Sequence, residues 1–488
     1  MDVVDLARWQ FGITTVYHFV FVPLSIGLTA LVAVLQTRWL RTRHPDYLRL
    51  TRLFGTLMLI NFAIGVVTGI VQEFQFGMNW SDYSRFVGDV FGAPLAMEGL
   101  VAFFLESTFL GLWIFGWDRL PRGLHLATIW IVHLGTLASS WFILAANSWM
   151  QHPVGYRFNP DTGRAELTDI AAVMTNKVQL VTFPHVIAAS YLTAAAFLVA
   201  VAGWLAWRRD ADGRPVGEAD RGMYRRAIRL GAGVALVAGL AVAVTGDLQG
   251  KVMTEVQPMK MAAAEGLYDS ADSCAPFSIL TLGTPDGRSE KFSVTVPCLL
   301  SYLGTGSTDG AIAGIDDLRA QYRATYGSDP GTAYYRAGDY APTIPVTYWS
   351  FRLMIGLGMA ASAGAGLVLL LTRRDRMPTS RWFGRLLVGL PLLAVAGNSF
   401  GWIFTEMGRQ PWAVFGLMTV DHAVSPGVSV TEAALGLAAL TLVYAVLAVI
   451  EVRLLLHTIR TGAPAYVEPP APTLRGPQDD DVPLTFAY

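Results

Sequence analysis

Residues 179–207 have the sequence QLVTFPHVIAASYLTAAAFLVAVAGWLAW, a run without Asp, Glu, Lys or Arg. A helix needs about 20 largely apolar residues to cross the hydrocarbon core of a bilayer. Eight further stretches meet this requirement, so the sequence predicts an all-α integral membrane protein with nine transmembrane helices. The predicted spans lie near 13–37, 53–76, 94–117, 124–149, 179–207, 228–248, 346–372, 383–405 and 430–456.

The composition of the whole chain supports a membrane location. Of its 488 residues 53% are hydrophobic and only 15% are charged, and the mean hydropathy is +0.42. Such a chain is too apolar for an ordinary soluble protein. Its arginines collect in particular loops, which excludes a nucleic-acid-binding face. The first residues carry Asp2 and Asp5 where a secretory signal would be basic, so we expect the N-terminus to be retained.

Basic residues collect in the loops that follow the odd-numbered spans. The set comprises Arg38, Arg41, Arg43, Arg49, Arg52, Arg119, Arg122, Arg208, Arg209, Arg214, Arg221, Arg225, Arg226, Arg229, Arg373, Arg374, Arg376, Arg381 and Arg385. Loops on the cytoplasmic side of a membrane carry an excess of Lys and Arg. We therefore expect the N-terminus outside, the C-terminus inside and the long loop 249–345 on the outer side.

The predicted spans divide the chain into four regions. Residues 1–248 hold spans 1 to 6, and 346–460 hold spans 7 to 9. The loop 249–345 contains both cysteines, and because the outer side permits oxidation we predict a Cys274–Cys298 disulfide, which contributes roughly 3 to 4 kcal/mol. The Pro-rich, acidic tail 461–488 is predicted to be disordered and cytoplasmic.

Three histidines fall within spans, and two of them lie near the outer face. His18 and His185 lie a few turns into spans that begin outside, and Met354 lies at a depth of about 12 Å against about 9 Å for His185. A His and a Met at matched depth can hold a low-spin heme iron that passes electrons. We interpret the third, His133, as a packing residue. Surface positions are expected for His44, His125, His152, His422 and His457.

Span 3 carries two carboxylates. Glu98 and Glu106 are eight residues apart, which places them on one helical face about 12 Å apart in depth. Ionisable groups inside a bilayer are costly and are usually functional, so the pair predicts a proton path. The alternative is a pair of neutral carboxyl groups that fix helix packing.

Two arginines lie beside candidate ligands. Glu406 at the end of span 8 either ligates a metal or pairs with Arg409, the basic residue of the following loop. Arg352 precedes Met354 by two residues and requires an anion inside the membrane. A heme propionate near the outer face or a carboxylate such as Asp247 would meet that requirement.

Several long blocks around these residues resemble subunit I of the cytochrome bd-type quinol oxidases, from residue 1 to about 460. The blocks are RWQFGITTVYHFVFVPLSIG, EFQFGMNWSDY, FGAPLAMEGLVAFFLESTFLGLWIFGWDRL, QPMKMAAAE and GRQPW. The resemblance implies the heme-carrying core subunit of a terminal oxidase in the bacterial cytoplasmic membrane. Such an enzyme would oxidise quinol near the outer face, reduce dioxygen to water and generate a proton-motive force without pumping.

The resemblance also implies roles for individual residues. His185 and Met354 match the ligands of a low-spin heme b, His18 the ligand of heme d, and Glu406 the ligand of a high-spin heme b. Glu98 and Glu106 match carboxylates that deliver protons to the oxygen site. The remaining matches are Lys251 and Glu255 for quinol oxidation, and Arg352, Arg409 and Trp402 for the surroundings of the hemes.

The cofactors implied by the resemblance are two heme b and one heme d. The implied partners are a second multi-span subunit and a small single-span subunit, and the outer loop resembles the short form found in the family. Two alternatives remain at this point. One is a diheme cytochrome b that handles quinone without oxygen, although it would need more paired histidines. The other is a proton-coupled transporter that uses Glu98 and Glu106.

Overall fold

The structure, a computed structural model, describes residues 1–208, 216–284, 287, 289–327 and 339–470. Arg209, Arg214 and the end of the predicted tail, 471–488, lie outside these residues. Within the described ranges nine helical segments are long and apolar enough to cross a membrane, which confirms the predicted number.

The elements follow one another along the chain, with three two-stranded antiparallel pairs between the helices. They are α1 (Val3–Thr42), α2 (Pro45–Met78), α3 (Ser81–Met97), a π-helical turn (Glu98–Phe103), α4 (Phe104–Phe115), α5 (Arg122–Gln151), β1 (Tyr156–Asn159), β2 (Arg164–Leu167), α6 (Ile170–Met174), α7 (Lys177–Trp207), α8 (Glu218–Val256), α9 (Pro258–Glu265), β3 (Phe277–Gly283), β4 (Glu290–Val296), α10 (Leu299–Thr305), α11 (Ile315–Tyr326), α12 (Ile344–Leu371), α13 (Arg381–Met407), β5 (Trp412–Val414), β6 (Met418–Thr419), a 3-10 turn (Val420–His422) and α14 (Val430–Thr461).

Local sequence signals explain several helix ends. Ser429 and Glu432 form a capping box at the start of α14, in which each side chain bonds the backbone N–H of the other residue. The hydroxyl of Ser380 caps α13 in the same position. Pro345 lies in the first turn of α12, where its missing N–H costs no hydrogen bond.

Helix α7 lies at the centre of the bundle. In its most apolar stretch 67% of the residues are buried, against 11% in α14 at the periphery. Small residues permit this position, since a Cβ on Gly27 of α1 would lie 2.3 Å from Cβ of Ala194 and 2.7 Å from the carbonyl oxygen of Ser190. Gly231 of α8 approaches the carbonyl oxygen of Ala195 in the same way. Close contacts of small residues are the usual basis of helix association in bilayers.

The long loop is folded in its described part. Helix α8 continues two turns past the predicted end of span 6, so the loop proper begins at α9. The disulfide between Cys274 and Cys298 is present, as predicted. Strands β3 and β4 form a hairpin that is attached to α12, because the hydroxyl groups of Ser278 and Tyr348 lie 2.7 Å apart. The loop therefore rests on the end of α12 that leads to Met354.

The first residues of the predicted tail lie against the helix ends that carry the arginine-rich loops. Arg49 donates to the backbone carbonyl of Pro464 at 2.8 Å, and Arg122 donates to Glu468 at 2.8 Å. These contacts show that the end of α14 and the arginine-rich loops lie on the same side of the bundle. Disorder of the remaining tail stays a prediction.

We expect Gly27→Ala to lower the thermal denaturation midpoint of the detergent-solubilised protein, because the added methyl group would overlap α7. Overpacking of this kind costs about 1–3 kcal/mol. Gly12→Ala on the same helix is the matched control, since a Cβ there meets nothing within 4 Å. Equal denaturation temperatures for the two variants would contradict the close packing of α1 on α7.

Candidate functional site

His18 and His185 each keep one ring nitrogen free. Nδ1 of His18 lies 2.9 Å from Oγ1 of Thr68, and Nδ1 of His185 lies 3.1 Å from Oγ1 of Thr245. Each hydroxyl donates its proton to a backbone carbonyl of its own helix, so it must accept from Nδ1–H. The lone pair is therefore on Nε2, which has no hydrogen-bond partner among the described residues. This tautomer can coordinate a metal through Nε2.

Two other histidines inside helices have both ring nitrogens bonded. Nδ1 of His133 lies 3.0 Å from Oγ1 of Thr29, and its Nε2 lies 3.0 Å from the hydroxyl of Tyr191. His125 was expected at the surface, but α5 begins before it and buries it. It bonds a glutamine of α1 through Nδ1 and a backbone carbonyl of α4 through Nε2, each at 2.8 Å. Neither histidine has a nitrogen left for a metal.

His185 and Met354 line one cavity between α7, α8, α12 and α13. The sulfur of Met354 lies against Gly401 of α13, where a Cβ would come within 3.1 Å of it. A Cβ on Gly246 of α8 would lie 3.3 Å from the imidazole of His185. Trp402 lines the same cavity and stacks on an aromatic ring of α1 with 4.1 Å between centroids. The cavity thus combines a nitrogen and a sulfur ligand with glycines that leave room beside them.

Two buried arginines are only partly satisfied. Arg352 donates to Glu265 at 2.6 Å, so its carboxylate partner is Glu265 and not Asp247. Arg409 donates to Glu406, which bears out the ion pair considered for them. Nε and NH1 of both arginines are buried without a hydrogen-bond partner in the described part of the chain. Such N–H groups could donate hydrogen bonds to the carboxylates of a bound cofactor.

The two carboxylates of the third span both face α5. Glu98 accepts a hydrogen bond from Ser139 at 2.6 Å, and a Cβ on Gly135 would lie 2.6 Å from Cγ of Glu106. In a regular α-helix a spacing of eight residues leaves about 80° between two side chains. The π-helical turn that starts at Glu98 takes up one extra residue, so the angle falls to about 20°. This turn, which the sequence did not predict, aligns the two carboxylates.

A chain of hydrogen bonds joins Lys260 to Glu406 along the cavity wall. The ammonium group of Lys260 donates to Gln151 at 3.0 Å, and the amide of Gln151 donates to Asn147 at 2.8 Å. The amide of Asn147 donates in turn to Glu406 at 3.0 Å. Burial lowers the pKa of Lys260 to about 7, while Glu406 opposes this shift and Arg409 adds to it. An amine with such a pKa can exchange a proton at neutral pH.

Sequence reasoning did not single out Lys260 and Glu265. Both belong to the block QPMKMAAAE, where they are the two charged residues in an apolar stretch, and that contrast is the signal that could have found them. Each is 4% exposed, and burial raises the pKa of Glu265 although Arg352 opposes the rise. Glu265 is thus tied to the helix of Met354, whereas Lys260 lines the cavity itself.

Lys251 and Glu255, which the resemblance assigns to quinol oxidation, lie in the last turns of α8. Lys251 pairs with Asp247 of the same helix, and Glu255 pairs with Lys177 of α7, each at 2.6 Å. The side chain of Glu255 is 67% exposed. The structure does not bring these two residues into contact with each other, and their role stays a prediction.

The donor set fits heme groups. Among the described residues no group of three or more His, Cys, Asp or Glu could hold a metal ion. A heme iron takes only one or two axial ligands from the protein, because the porphyrin supplies the others. The free Nε2 atoms of His18 and His185, the sulfur of Met354 and the unpaired guanidinium N–H groups meet that need.

Comparison with known proteins relates nearly the whole chain to heme-containing oxidases. The family model of cytochrome bd terminal oxidase subunit I matches residues 6–463. Cytochrome bd ubiquinol oxidase subunit 1 of Bacillus subtilis (strain 168) is 43% identical over 465 residues, which cover 95% of each chain. Cytochrome bd-II ubiquinol oxidase subunit 1 of Escherichia coli (strain K12) is 35% identical over 519 residues, which cover 97% of this chain and 99% of the relative.

A solved structure agrees with these relatives. The bd oxidase from Geobacillus thermodenitrificans superposes with a TM-score of 0.82 at 27% identity, covering 94% of this chain and 99% of that chain. Nine membrane helices, the candidate heme ligands and the matches over nearly the full length point to one assignment. The chain belongs to the cytochrome bd terminal oxidase subunit I family.

Proposed function

We propose that this chain carries two b hemes and one heme d, oxidises quinol beside its folded outer loop and reduces dioxygen to water. Quinol oxidase activity, heme cofactors and a location in the bacterial cytoplasmic membrane follow from the family, which excludes the transporter and the plain cytochrome b. The number, type and ligands of the hemes are our proposal. The observation that carries it is the cavity in which the free Nε2 of His185 and the sulfur of Met354 occur together.

The low-spin heme b would be held by His185 and Met354. A heme held by a His and a Met would have a raised reduction potential, which suits electron transfer rather than gas binding. The unpaired N–H groups of Arg352 lie two residues from Met354 and would bind a propionate. Trp402 would form part of the wall of this site.

The two high-spin hemes would be held by His18 and Glu406. Following the resemblance, we assign His18 to heme d and Glu406 to the high-spin heme b. When bound, the hemes supply one-electron transfer and the iron at which dioxygen is reduced. Asn147 and Arg409 hold the carboxylate of Glu406 in one orientation, as a ligand requires. Arg409 keeps unpaired N–H groups for a propionate.

Glu98 and Glu106 would pass protons to the oxygen site. Glu98 is bonded to the neutral hydroxyl of Ser139, and Glu106 makes no ion pair within the described residues. Neither carboxylate is held by a positive partner, so each can be protonated and deprotonated in turn. Their alignment by the π-helical turn supports a path from Glu106 to Glu98.

Quinol oxidation needs a base that takes up protons as the electrons leave. Lys260 lines the cavity that His185 and Met354 share, and burial lowers its pKa to about 7, so its neutral form is available. We therefore propose Lys260 as the group that accepts a quinol proton, with Glu265 fixing the loop to Arg352. Lys251 and Glu255 remain the alternative that the resemblance implies.

The arginine-rich loops support an orientation with the quinol site outside. Protons from quinol would then leave on the outer side, and the protons that form water would enter from the inner side. Moving a charge against 100 mV costs about 2.3 kcal/mol. The reaction would therefore generate a membrane potential without a pump.

A second multi-span subunit is the partner that the family implies. We propose that it covers the helices that are least buried in this chain, α14 and the third span. Large apolar side chains are exposed there, as they would be at an interface or in lipid. The exposed set includes Leu100, Val101, Phe104, Leu435 and Leu442. A small single-span subunit stays a prediction.

The reduced-minus-oxidised visible spectrum of the purified complex tests the heme content. We expect b-heme bands together with a band near the red end of the spectrum, because the chlorin-type heme d absorbs there and b hemes do not. Pyridine hemochrome analysis should give two b hemes for each heme d. A spectrum of b hemes alone would contradict heme d at the oxygen site and leave the quinol oxidase assignment intact.

We expect His185→Ala to remove the low-spin b-heme band, because it removes the axial nitrogen. Met354→Leu should retain the heme but convert it to a high-spin form, since one axial position opens. His133→Gln is the matched control, because both nitrogens of His133 bond protein groups. Loss of the low-spin band in His133→Gln, with its retention in His185→Ala, would refute the ligand assignment.

We expect Lys260→Met to lower quinol-dependent oxygen consumption by about 100-fold, the usual effect of removing a general base. The rate of the wild-type enzyme should rise with pH through about 7, because only the neutral amine accepts a proton, and the variant should lack this rise. Lys291→Met, on the exposed face of β4, is the control. Full activity in Lys260→Met and its loss in Lys251→Met would favour the alternative pair.

A further inference from the structure

Helix α14 turns one narrow stripe toward the rest of the chain. In this helix of 32 residues, all of them described, the buried ones are Ala433, Tyr444 and Glu451. They are 11 and 7 residues apart, so all three lie within about 20° of one line along the helix. The helices that α14 contacts most are α1 and α2. Glu451 is thus a carboxyl group that faces protein on a helix that otherwise faces outward.

Glu451 has no charged partner. It is 7% exposed, and within the described residues it makes neither an ion pair nor a hydrogen bond. The buried carboxylates Glu265 and Glu406 differ, since each pairs with an arginine. Tyr444, two turns away on the same stripe, packs against the ring of Tyr17 on α1. An ionisable residue that is retained inside a bilayer without a counter-charge is usually functional.

Polar side chains line the interface of α1 and α2 beside this stripe. We call them the polar seam, which comprises Gln10, Thr14, Thr15, Tyr17 and Ser25 of α1 and Asn61, Thr68, Gln72 and Gln75 of α2. Asn61 donates to Ser25 at 2.9 Å, and Thr15 donates to Gln72 at 3.1 Å. The seam passes His18, whose Nδ1 is bonded to Thr68.

Tyr444 joins the stripe of α14 to the polar seam. Its hydroxyl donates to the backbone carbonyl of Thr68 at 3.3 Å, and its ring lies 4.9 Å from the ring of Tyr17. Three seam atoms are buried without a partner in the described chain: Gln10 Oε1, Tyr17 OH and Asn61 Oδ1. Buried polar atoms are rarely left unpaired, and a bridging water commonly satisfies them. These atoms can therefore bond a water chain through the seam.

Depth gives the seam a direction. Glu451 lies 10 residues before the end of α14 at Thr461, which corresponds to about 15 Å. That end lies with the arginine-rich loops, which are expected on the cytoplasmic side. The start of α1 is at the opposite end of the bundle, and His18 lies 15 residues, or about 22 Å, in from that start. A proton that moves from Glu451 to the surroundings of His18 therefore moves from the inner side toward the proposed oxygen site.

We propose that Glu451 is a proton-loading residue of a second input path, which runs along the polar seam to His18. The inference rests on the proposed function, because reduction of one dioxygen to two waters consumes four protons with four electrons. Glu98 and Glu106 face α5, whereas Glu451 lies on α14, which packs against α1 and α2.

The transfer step conserves protons and moves no electrons. The carboxylic acid of Glu451 gives its proton to an oxygen of the seam, either the hydroxyl of Tyr17 or a water bonded there. That oxygen releases another proton along the seam toward His18. The resulting carboxylate of Glu451 takes up a new proton from the inner side, and the seam returns to its starting state.

The test is proton uptake by the purified complex with its partner subunit. The reduced, carbon monoxide-bound complex is flashed in the presence of oxygen, and a pH-indicating dye follows proton uptake in unbuffered solution. We expect Glu451→Gln to slow uptake by about tenfold or more, with the heme spectrum unchanged, and Glu451→Asp to retain part of the rate. Glu432→Gln is the matched control, since Glu432 lies on the same helix in an exposed capping box.

Uptake at the wild-type rate in Glu451→Gln, with all hemes bound, would overturn the proposal. If Glu451→Gln loses heme, Glu451→Asp decides through its infrared difference spectrum between oxidised and reduced enzyme. A carbonyl band of a protonated carboxyl group that shifts in the Asp variant supports the proposal, and an unchanged spectrum overturns it. Failure of the proposed function is separate, because the wild-type complex itself would then take up no protons with oxygen.

Discussion

The bilayer offers no water to polar groups, so hydrogen bonds within the protein decide which of them remain available for chemistry. The histidines illustrate this constraint. His18 and His185 give Nδ1–H to a threonine hydroxyl whose own proton is already bound to backbone, and Nε2 is left over. His125 and His133 have partners at both nitrogens. The residue type is the same in all four cases, and only the neighbours separate a candidate ligand from a packing residue.

Helix α5 contacts four of the ionisable groups discussed above. Four residues of α5, spaced by multiples of four, make these contacts. Their partners are the two carboxylates of the proposed proton path, the candidate heme ligand and the proposed quinol base. The contacts are Gly135 with Glu106, Ser139 with Glu98, Asn147 with Glu406 and Gln151 with Lys260. They extend over about 24 Å of a single helix. A rigid element therefore sets the distance between the proposed proton path and the proposed quinol base.

Features that depend on composition or on single residues could be predicted from the sequence. The nine spans follow from apolar length, and the disulfide follows from two cysteines in an outer loop. Features that depend on helix register or on tertiary neighbours could not. The prediction that Glu98 and Glu106 share a helical face assumed a regular α-helix. The π-helical turn at Glu98–Phe103 changes the angle per residue in that segment. Arg352 pairs with Glu265 rather than with Asp247, because α9 packs against α12. Residue spacing in the sequence does not predict this contact between distant segments.

The buried carboxylates fall into two groups according to their partners. Glu265 and Glu406 are each bonded to the guanidinium group of an arginine. Removing one partner of a buried ion pair leaves the other charge uncompensated, which costs about 3–5 kcal/mol. In the proposed function Glu265 serves as an anchor and Glu406 as a ligand. Glu98, Glu106 and Glu451 have neutral partners or none. Burial in low dielectric disfavours the charged form of a carboxyl group, and a neighbouring positive charge favours it. We therefore propose that an arginine partner distinguishes the carboxylates that anchor a loop or hold a heme from the carboxylates that move protons.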